Sequence, residues 1–461
     1  MAFGLFRKKI EHILPGRVST DKEELFCYGF DASTGEGGPS AVVRPVNTDE
    51  VSSLASYAYQ NDVPIIPRGA GTGMTGGSVP FENAVIVSVE GMNRIIDIDK
   101  RNMVVAVEPG VINSHLQEKL EASGLFYPPD PSSMKFCTLG GNVAENAGGP
   151  RAIKYGVTKD YVLGLETVLP DGRVLLTGGK TYKGVVGYDL TRLLVGSEGT
   201  LGIITKIFLK VLPLPQETAT LLCIFSRLDD AAQTVAKITS SSIIPRTLEF
   251  LDNETIRAVE QYKPFGLPSN AEALLLIEVD GAHAAVAEEA ERIAAICASL
   301  HGNVQVAEDQ FSKQRLWEAR RAISPALYHL RPTKINEDIV VPRGRIPEML
   351  RALKEIAERE NLLIASFGHA GDGNIHVNVM TDKEDEEEYA RAAASIRDIF
   401  DVTLKLGGTI SGEHGVGLTK KQYIGMELSD VSLEIMKKIK TVFDPKGILN
   451  PGKIFPPDQK K

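Results

Sequence analysis

Residues Ile65–Pro80 read I-I-P-R-G-A-G-T-G-M-T-G-G-S-V-P, with five glycines directly after an apolar run. Glycine allows backbone N–H groups to converge on an anion, so the loop predicts a phosphate cradle; a plain turn is the alternative. Gly71, Gly73 and Gly76 match G-x-G-x-x-G, which indicates a nicotinamide dinucleotide site only where a helix opens at the loop. The next apolar run, Ala84–Val89, predicts a strand instead. The loop therefore joins two strands, and we exclude the nicotinamide interpretation.

The length and composition indicate a globular protein of more than one domain. The chain has 461 residues, of which 43% are hydrophobic and 24% are charged. A single core seldom organises so long a chain, so we expect at least two domains. The 51 basic and 60 acidic residues give a net charge of −9. This balance excludes nucleic acid as the main partner, because phosphate binding needs a basic face.

Two features predict a cytoplasmic location. No apolar run reaches the roughly 20 residues of a transmembrane helix. The first 14 residues, M-A-F-G-L-F-R-K-K-I-E-H-I-L, lack the order of a signal peptide. They predict a short helix, either an ordinary first helix or an amphipathic one at a membrane face or a partner subunit. The cysteines form no C-x-x-C, so we expect free thiols and no iron–sulfur cluster or zinc ribbon in this chain.

Two further glycine-rich stretches come before a change in the sequence pattern. Residues 128–149 contain P-P-D-P-S-S, T-L-G-G-N and N-A-G-G, and residues 196–202 read G-S-E-G-T-L-G. Such small residues favour a surface on which a long, flat ligand lies against backbone. Pro213 and Pro215 then stiffen a linker. Beyond it, strands alternate with alanine-rich helices, which predicts an α+β domain of about 200 residues.

These motifs together resemble the FAD-linked D-2-hydroxyacid dehydrogenases, which include the flavin subunit of glycolate oxidase. The resemblance extends over roughly residues 20–457 and implies the fold class α+β: a two-subdomain FAD-binding domain of the vanillyl-alcohol oxidase type plus an α+β cap domain with an antiparallel sheet. We expect the FAD-binding domain at 1–213 and the cap or substrate domain at 214–410. The segment 411–461 is expected to pack back on the first domain.

The resemblance implies FAD as the cofactor. Some relatives attach the flavin to a histidine near the first loop, but no histidine lies between Ile13 and Asn113, so we expect noncovalent FAD. The implied FAD contacts lie in the three glycine-rich stretches and the tail. They are Arg68, Gly69, Gly71, Thr72, Gly73, Thr75, Gly76, Gly77, Pro129, Asp130, Ser132, Ser133, Thr138, Gly140, Gly141, Asn142, Asn146, Gly148, Gly149, Glu198, Gly202, Ile203 and Asn450.

The second domain carries a histidine hairpin. Residues 371–374, G-D-G-N, form a turn sequence between two apolar runs, which predicts a hairpin with His369 and His376 on either side of the turn. Strand alternation places Asn378 on the same face as His376. Further along, Glu413 and His414 set a carboxylate beside an imidazole.

Two imidazoles and a carboxylate are a typical ligand set that leaves positions open for substrate. Histidines with purely structural hydrogen bonds are the alternative. The resemblance favours the metal, because related D-2-hydroxyacid dehydrogenases hold a divalent metal on the residues that match His369, His376 and Glu413. We expect Zn, Mn or Fe.

The resemblance also implies the catalytic roles. Arg320, in a W-E-A-R-R sequence expected to open a helix, matches the arginine that holds the substrate carboxylate. Lys334 matches a second carboxylate-binding position, and Ser324 stands where some relatives have threonine. His414 is the expected general base, while Asn378 binds substrate or orients a ligand. The Cα hydride is expected to pass to flavin N5.

The expected function is therefore the FAD-dependent, metal-assisted oxidation of a small D-2-hydroxy acid, D-lactate or glycolate, to the 2-oxo acid. The alternatives are a D-2-hydroxyglutarate dehydrogenase and a transferase similar to the flavin-dependent ether-lipid synthase. A metal hydrolase would leave the glycine-rich stretches without a role. Reduced flavin needs an acceptor, so we expect an iron–sulfur or electron-transferring flavoprotein subunit as partner. Contact with the inner face of a membrane would be at most peripheral and through that partner.

Overall fold

In the computed structural model, which describes residues 9–457, the chain divides into two compact units. Of the described residues, the first unit contains 9–148, 157–214 and 413–457, and the second contains 149–156 and 215–412. The boundaries differ from the sequence-based ranges by one residue at the linker and two at the tail. In addition, the short segment 149–156 leaves the first unit and joins the second.

The first unit contains two main sheets, which follow one another along the chain. A four-stranded sheet has the order β1-β2-β4-β3, with β2, β3 and β4 parallel, and a five-stranded antiparallel sheet has the order β5-β6-β10-β8-β9. Strands β7 and β11 form a small pair. The strands are β1 (Val18–Ser19), β2 (Ala41–Val43), β3 (Ile65–Arg68), β4 (Val85–Ser88), β5 (Ile95–Asp99), β6 (Val104–Val107), β7 (Leu125–Phe126), β8 (Val162–Val168), β9 (Val174–Gly178), β10 (Ile203–Lys210) and β11 (Leu212–Pro213).

The first unit also contains helices. They are α1 (9–13), α2 (Lys22–Cys27), α3 (Thr48–Gln60), α4 (Asn113–Glu121), α5 (Leu139–Glu145), α7 (Leu190–Leu194), α15 (Ile424–Glu427) and α16 (Asp430–Phe443), with a 3-10 turn at Thr158–Asp160. Part of the predicted N-terminal helix, residues 1–8, lies outside the described residues. Ile10 and Leu14 are buried in a core built mainly on the four-stranded sheet and α3. Helix α3 begins after its cap Asn47, whose side chain accepts the N–H of Glu50.

The second unit is built on one seven-stranded antiparallel sheet with the order β15-β12-β14-β13-β17-β18-β16. The strands are β12 (Glu217–Phe225), β13 (Thr247–Asp252), β14 (Ala273–Gly281), β15 (Asn303–Val306), β16 (Thr333–Val340), β17 (Leu363–His369) and β18 (Asn374–Thr381). The helices are α6 (Ala152–Tyr155), α8 (Leu228–Thr239), α9 (Asn253–Tyr262), α10 (His283–Ser299), α11 (Gln310–Arg321), α12 (Ile323–Leu327), α13 (Ile346–Glu360) and α14 (Glu386–Lys405), with a 3-10 turn at Arg343–Arg345.

Helices α9, α11 and α12 pack on one face of this sheet, and their apolar residues share a core with β13, β14, β17 and β18. Helix α11 begins after its cap Asp309, which accepts the N–H of Ser312. Residues 317–321 therefore end this helix, and the expectation that they open one is wrong. Their position at the C-terminal turn brings Arg320 over the same face of the sheet, where it is buried.

Candidate functional site

One face of the second unit's sheet carries polar side chains from neighbouring strands. The pairing register sets Glu249 opposite His369, Asp338 opposite His376, and Asn336 opposite Asn378. Directly opposed residues project from the same face of an antiparallel pair, so these side chains form one continuous surface. We call it the polar strip and define it by these six residues together with Lys334 and Asn374, which alternate onto the same face. The hairpin prediction is confirmed, since β17 and β18 pair across residues 370–373 with both histidines on this face.

At one end of the polar strip, a single carboxylate contacts two of the predicted site residues. Glu249 is fully buried, and its Oε2 accepts a hydrogen bond of 2.7 Å from Arg320 Nε. Its Oε1 lies 2.7 Å from His369 Nδ1. Burial opposes the charge on this carboxylate, but His369 and Arg320 together hold the pKa of Glu249 below its ordinary value. The Arg320 guanidinium also lies over the Phe367 ring, 4.8 Å from its centre.

The second histidine has its own carboxylate. His376 Nδ1 lies 3.6 Å from Asp338 Oδ1, and the two buried groups are directly paired in the ladder. Asp338 also accepts hydrogen bonds from Asn374 Nδ2 at 2.6 Å and from the N–H of Gly412 at 2.9 Å. The rings of His369 and His376 are 5.1 Å apart, centre to centre, and almost perpendicular at 88°.

At the other end of the strip, Lys334 is a buried cation. Its Nζ donates to Ser324 Oγ at 2.7 Å and lies 4.9 Å from the centre of the Tyr328 ring. Burial lowers the pKa of Lys334 to about 8. Asn378 is fully buried as well and accepts a bond of 2.8 Å from Asn336 Nδ2. Lys334 and Asn378 therefore lie on one surface, and Ser324 contacts the lysine.

The donor set of the second unit fits a divalent metal. Each imidazole turns its Nδ1 toward a carboxylate, so Nε2 is the atom through which either ring could bind a cation, and metal-ligating histidines usually have such carboxylate partners. The third predicted ligand, Glu413, is the first residue of the tail segment that belongs to the first unit. Two of the three predicted ligands thus lie together on the strip.

The first unit presents main-chain groups at the glycine loop. Within residues 9–457, none of the backbone N–H groups from Gly69 to Gly77 donates a hydrogen bond. Gly71 has φ +68°, and a Cβ there would lie 2.1 Å from the guanidinium of Arg68. Arg68 is buried beneath the loop, and burial lowers its pKa. A row of undonated N–H groups over a buried cation is a suitable site for a diphosphate.

A second element of this unit lies against the loop. A Cβ on Gly69 would meet Thr138 Oγ1 at 2.2 Å, so the loop packs against the cap of α5. On α5, the buried Nδ2 of Asn142 has no hydrogen-bond partner among the described residues, and the same holds for Oδ1 of Asn450 in the tail. Unpaired buried polar atoms are rare in native structures, and both belong to residues predicted to contact FAD. The residues present therefore fit that cofactor.

The remaining predicted FAD residues are distributed along the same unit with one exception. Gly149 belongs to the second unit. The Pro129 carbonyl already accepts bonds from Asn113 and Gln117, and the Ile203 side chain is in the core, so only its main chain is available to a ligand. The residues that keep their place in the three stretches are Thr72, Gly73, Thr75, Gly76, Gly77, Asp130, Ser132, Ser133, Gly140, Gly141, Asn146, Gly148, Glu198 and Gly202.

The tail segment that carries His414 is fastened to the glycine loop. Thr75 Oγ1 donates to the His414 carbonyl at 3.1 Å. The carboxylate of Glu198 accepts the N–H groups of Val416 at 2.8 Å and Gly417 at 2.7 Å. Asn450 Nδ2 donates to the carbonyls of Gly77 and Glu198. Glu198 was predicted as an FAD contact. Its carboxylate instead binds the main chain of the segment that carries the expected base.

Sequence reasoning missed three acidic residues. Asp338 stands two positions after Asn336 in β16, and strand alternation could have placed it beside His376. Glu145 follows the G-G-N motif on α5, and burial, together with the charge of Glu198, raises its pKa. Glu249 has no local signal, because its partners lie 71 and 120 positions away in the chain.

Comparison with known families assigns the chain. A model described as FAD linked oxidases, C-terminal domain, matches residues 214–454, and one described as FAD binding domain matches residues 39–178. The chain belongs to the FAD-linked oxidases. The predicted resemblance is therefore confirmed, and so is FAD as the cofactor.

Two curated relatives and one solved structure are similar over almost the whole chain. The glycolate oxidase subunit GlcD of Bacillus subtilis (strain 168) is 47% identical over 436 residues, covering 94% of this chain and 93% of that protein. A D-lactate dehydrogenase of Anaerostipes hadrus is 37% identical over 460 residues, covering 97% and 96%. A substrate-bound structure of p-cresol methylhydroxylase has a TM-score of 0.83 at 19% identity, covering 100% of this chain and 98% of that one. The last comparison concerns the fold alone, and the predicted fold class is confirmed.

Among the helices between residues 9 and 457, none combines the length and the apolar character required to cross a membrane.

Proposed function

We propose that this FAD-linked oxidase oxidises a small D-2-hydroxy acid, D-lactate or glycolate, to the 2-oxo acid and passes the electrons to a partner acceptor. The observation that carries the proposal is the polar strip, which places the buried Lys334 and two histidines, each beside a carboxylate, on one face of the second unit's sheet. The buried Arg320 of α11 contacts Glu249 at one end of the strip. Cations and imidazoles suit an anionic substrate that must also lose a hydroxyl proton. The names of the two relatives agree with this chemistry.

Each residue has a role that its contacts support. Arg320 offers the guanidinium edge not used by Glu249 to the substrate carboxylate, and its stacking on Phe367 fixes the plane of that edge. Lys334 supplies a second positive charge. Asn378 orients the strand that carries His376, because its Nδ2 donates to the carbonyls of Ala365 and His376 and its Oδ1 accepts from Asn336. His414 accepts the hydroxyl proton, a role suited to an imidazole near neutral pH. Thr75 holds the main-chain carbonyl of His414, and Glu198 holds the N–H groups two and three residues further along.

The two cofactors supply what the side chains lack. The glycine loop would hold FAD, which would supply an acceptor for the hydride of the substrate Cα. His369, His376 and Glu413 would hold a divalent metal, which would supply a Lewis acid for the substrate hydroxyl. The protein's own contribution is orientation, since Arg320 and Lys334 hold the substrate carboxylate while His414 removes the proton.

A specific observation favours D-2-hydroxyglutarate as the second candidate. Among residues 9–457, Lys334 Nζ donates to the Ser324 hydroxyl and burial alone shifts its pKa, so no carboxylate offsets its charge, and a buried cation without such a partner is costly. A substrate with a second carboxylate would supply that partner. The ether-lipid synthase alternative has less support, because both relatives above are named as an oxidase subunit or a dehydrogenase.

We also propose that the acceptor is an iron–sulfur or electron-transferring flavoprotein subunit in the cytoplasm. This chain contains four cysteines without a C-x-x-C, and none of them forms a disulfide. An internal relay of iron–sulfur clusters would lack its usual closely spaced thiolate ligands here, so we expect a separate protein to take the electrons.

The test is anaerobic loss of the flavin's visible absorbance. The purified protein is mixed separately with glycolate, D-lactate, L-lactate and D-2-hydroxyglutarate, with and without prior treatment with EDTA. Bleaching by D-lactate or glycolate that is lost on chelation and restored by Mn²⁺ or Zn²⁺ is the expected result. Bleaching only by D-2-hydroxyglutarate would select the second candidate. A bound flavin that none of the four acids reduces would overturn the 2-hydroxy acid assignment.

A further inference from the structure

The two predicted ligand-binding groups Arg320 and His369 share one carboxylate. Glu249 Oε2 accepts the Arg320 Nε–H at 2.7 Å, with Nη2 2.6 Å from the same oxygen, and Oε1 lies 2.7 Å from His369 Nδ1. All three side chains are buried. They come from β13, α11 and β17, three elements that are distant in sequence. The position of either functional group therefore depends on the same two oxygens.

We propose that Glu249 is a positioning residue that fixes the tautomer of His369 and the orientation of Arg320 together. The proposal rests on the function proposed above, since it concerns the metal and the carboxylate that these two residues would bind. Glu249 would touch neither substrate nor cofactor. It acts through its two neighbours.

The tautomer follows from the chemistry of the contact. An ionised carboxylate only accepts hydrogen bonds, so a neutral His369 at 2.7 Å must carry its proton on Nδ1. The lone pair is then on Nε2, the atom left for a metal. Without Glu249, nothing in this contact would prevent the opposite tautomer, whose Nε2–H cannot ligate a cation.

The orientation of Arg320 follows from geometry. A guanidinium has five N–H donors in one plane, and Glu249 engages the edge formed by Nε and Nη2. The Phe367 ring beneath it, 4.8 Å away, fixes the plane itself. The donors of the opposite edge then point in a single direction, which suits a two-point contact with a substrate carboxylate.

Glu249→Gln is the informative substitution, because an amide cannot accept on both sides. Its oxygen would go to the charged guanidinium, and its NH₂ would face His369 Nδ1 and donate to it. That bond selects the tautomer with the proton on Nε2. The variant therefore keeps the shape of the side chain while reversing the state of His369.

Glu278→Gln is the matched control. Glu278 lies on the neighbouring strand β14, is buried, and accepts bonds from Thr220 at 2.9 Å and Trp317 Nε1 at 3.1 Å. It is also paired with Arg246. It thus bears a buried carboxylate with an arginine partner but contacts neither Arg320 nor His369.

The experiment uses the full-length flavoprotein after EDTA treatment and measures Mn²⁺ affinity from the spin-resonance signal of free Mn²⁺. We expect Glu249→Gln to weaken Mn²⁺ binding by about 10- to 100-fold and to raise the substrate KM more than it lowers kcat. Glu278→Gln should change Mn²⁺ affinity by less than about twofold, because Glu278 does not contact Arg320 or His369. The far-ultraviolet circular dichroism and the bound flavin report that both variants are folded.

Three results would overturn the proposal. The first is a folded Glu249→Gln protein that binds Mn²⁺ as tightly as the parent. The second is a parent protein that binds no Mn²⁺ at all. The third is nitrogen NMR of the parent protein, labelled on histidine and freed of metal, that assigns the proton of His369 to Nε2; this measurement needs no variant to fold. Failure of all four acids to reduce the flavin would instead reject the proposed function and leave the Mn²⁺ comparison standing.

Discussion

The two units bind their ligands with different parts of the chain. In the first unit, the glycine loop presents main-chain N–H groups, and the short sequence of the loop is almost sufficient to predict the binding site. In the second, the polar strip presents side chains held by partners up to 120 positions away. A site made of main-chain groups needs small residues in one short stretch, so it is visible in the sequence. A site made of side chains depends on contacts between residues that are distant in the chain and meet only in the folded protein.

The largest expected effect tests whether the first unit acts through main chain alone. His414 belongs to that unit, yet its proposed role needs its imidazole. His414→Ala should keep FAD but slow flavin reduction by about 10²- to 10⁴-fold, the usual worth of a general base. Stopped-flow absorbance with the best acid of the panel measures it. The exposed His115, changed to alanine, is the control, and near-normal reduction in the His414 variant would remove the general-base role.

The next effect tests the main-chain cradle itself. Gly71→Val adds a branched side chain at φ +68° and displaces the Arg68 guanidinium, which lies 2.1 Å from the position of the new Cβ. The left-handed conformation costs roughly 1–2 kcal/mol, and the loss of the buried cation adds to it. We expect FAD binding to weaken by at least about 100-fold, measured by titrating flavin into the apoprotein.

Gly447→Val separates strain from binding in that experiment. Gly447 has a similar φ of +64°, but a Cβ there would meet nothing within 4 Å. It should lower the thermal stability and still retain the flavin. Equal flavin retention in the two variants would mean that the loop is not the cradle.

The contrast also explains how far the sequence could be interpreted. The loop, the hairpin and the order of the domains follow from local patterns, and strand alternation placed Asn378 on the same face as His376. Glu249 could not be predicted, since no local pattern links β13 to β17. The position of segment 149–156 in the second unit was also not predicted. Its Lys154 and Tyr155 bind the buried Asp280 of β14, and no local sequence pattern indicates that contact.

The third effect sharpens the description of the strip as a set of oriented side chains. Arg320→Lys keeps the charge but loses the planar edge and the bond geometry with Glu249. A lost charge-assisted hydrogen bond is worth about 1.5–3 kcal/mol, so we expect the substrate KM to rise about 10- to 100-fold with FAD still bound. Arg321→Lys, on the next and exposed position of the same helix, should leave KM unchanged. An unchanged KM in the Arg320 variant would mean that charge alone suffices there.

The smallest expected effect concerns the buried lysine at the end of the strip. Burial lowers the pKa of Lys334 from 10.5 to about 8. Only the protonated form attracts an anionic substrate, so kcat/KM should fall as the pH rises through about 8, and this limb reports the free enzyme. Lys334→Met should remove the limb and lower kcat/KM about tenfold at pH 7, close to the value of one hydrogen bond to a charged group.

Stability should change in the opposite sense, which separates a binding lysine from a structural one. The folded state holds the Lys334 proton less tightly than the unfolded state, so the buried charge destabilises the fold below about pH 8, and the penalty disappears as the pH rises toward 10.5. Lys334→Met should therefore melt at a higher temperature than the parent at pH 7, and the difference should shrink at pH 10. Exposed Lys354, changed to methionine, should alter neither quantity. A Lys334 variant that loses both stability and activity would show that the lysine supports the fold. The proposed role of its charge in substrate binding would then be rejected.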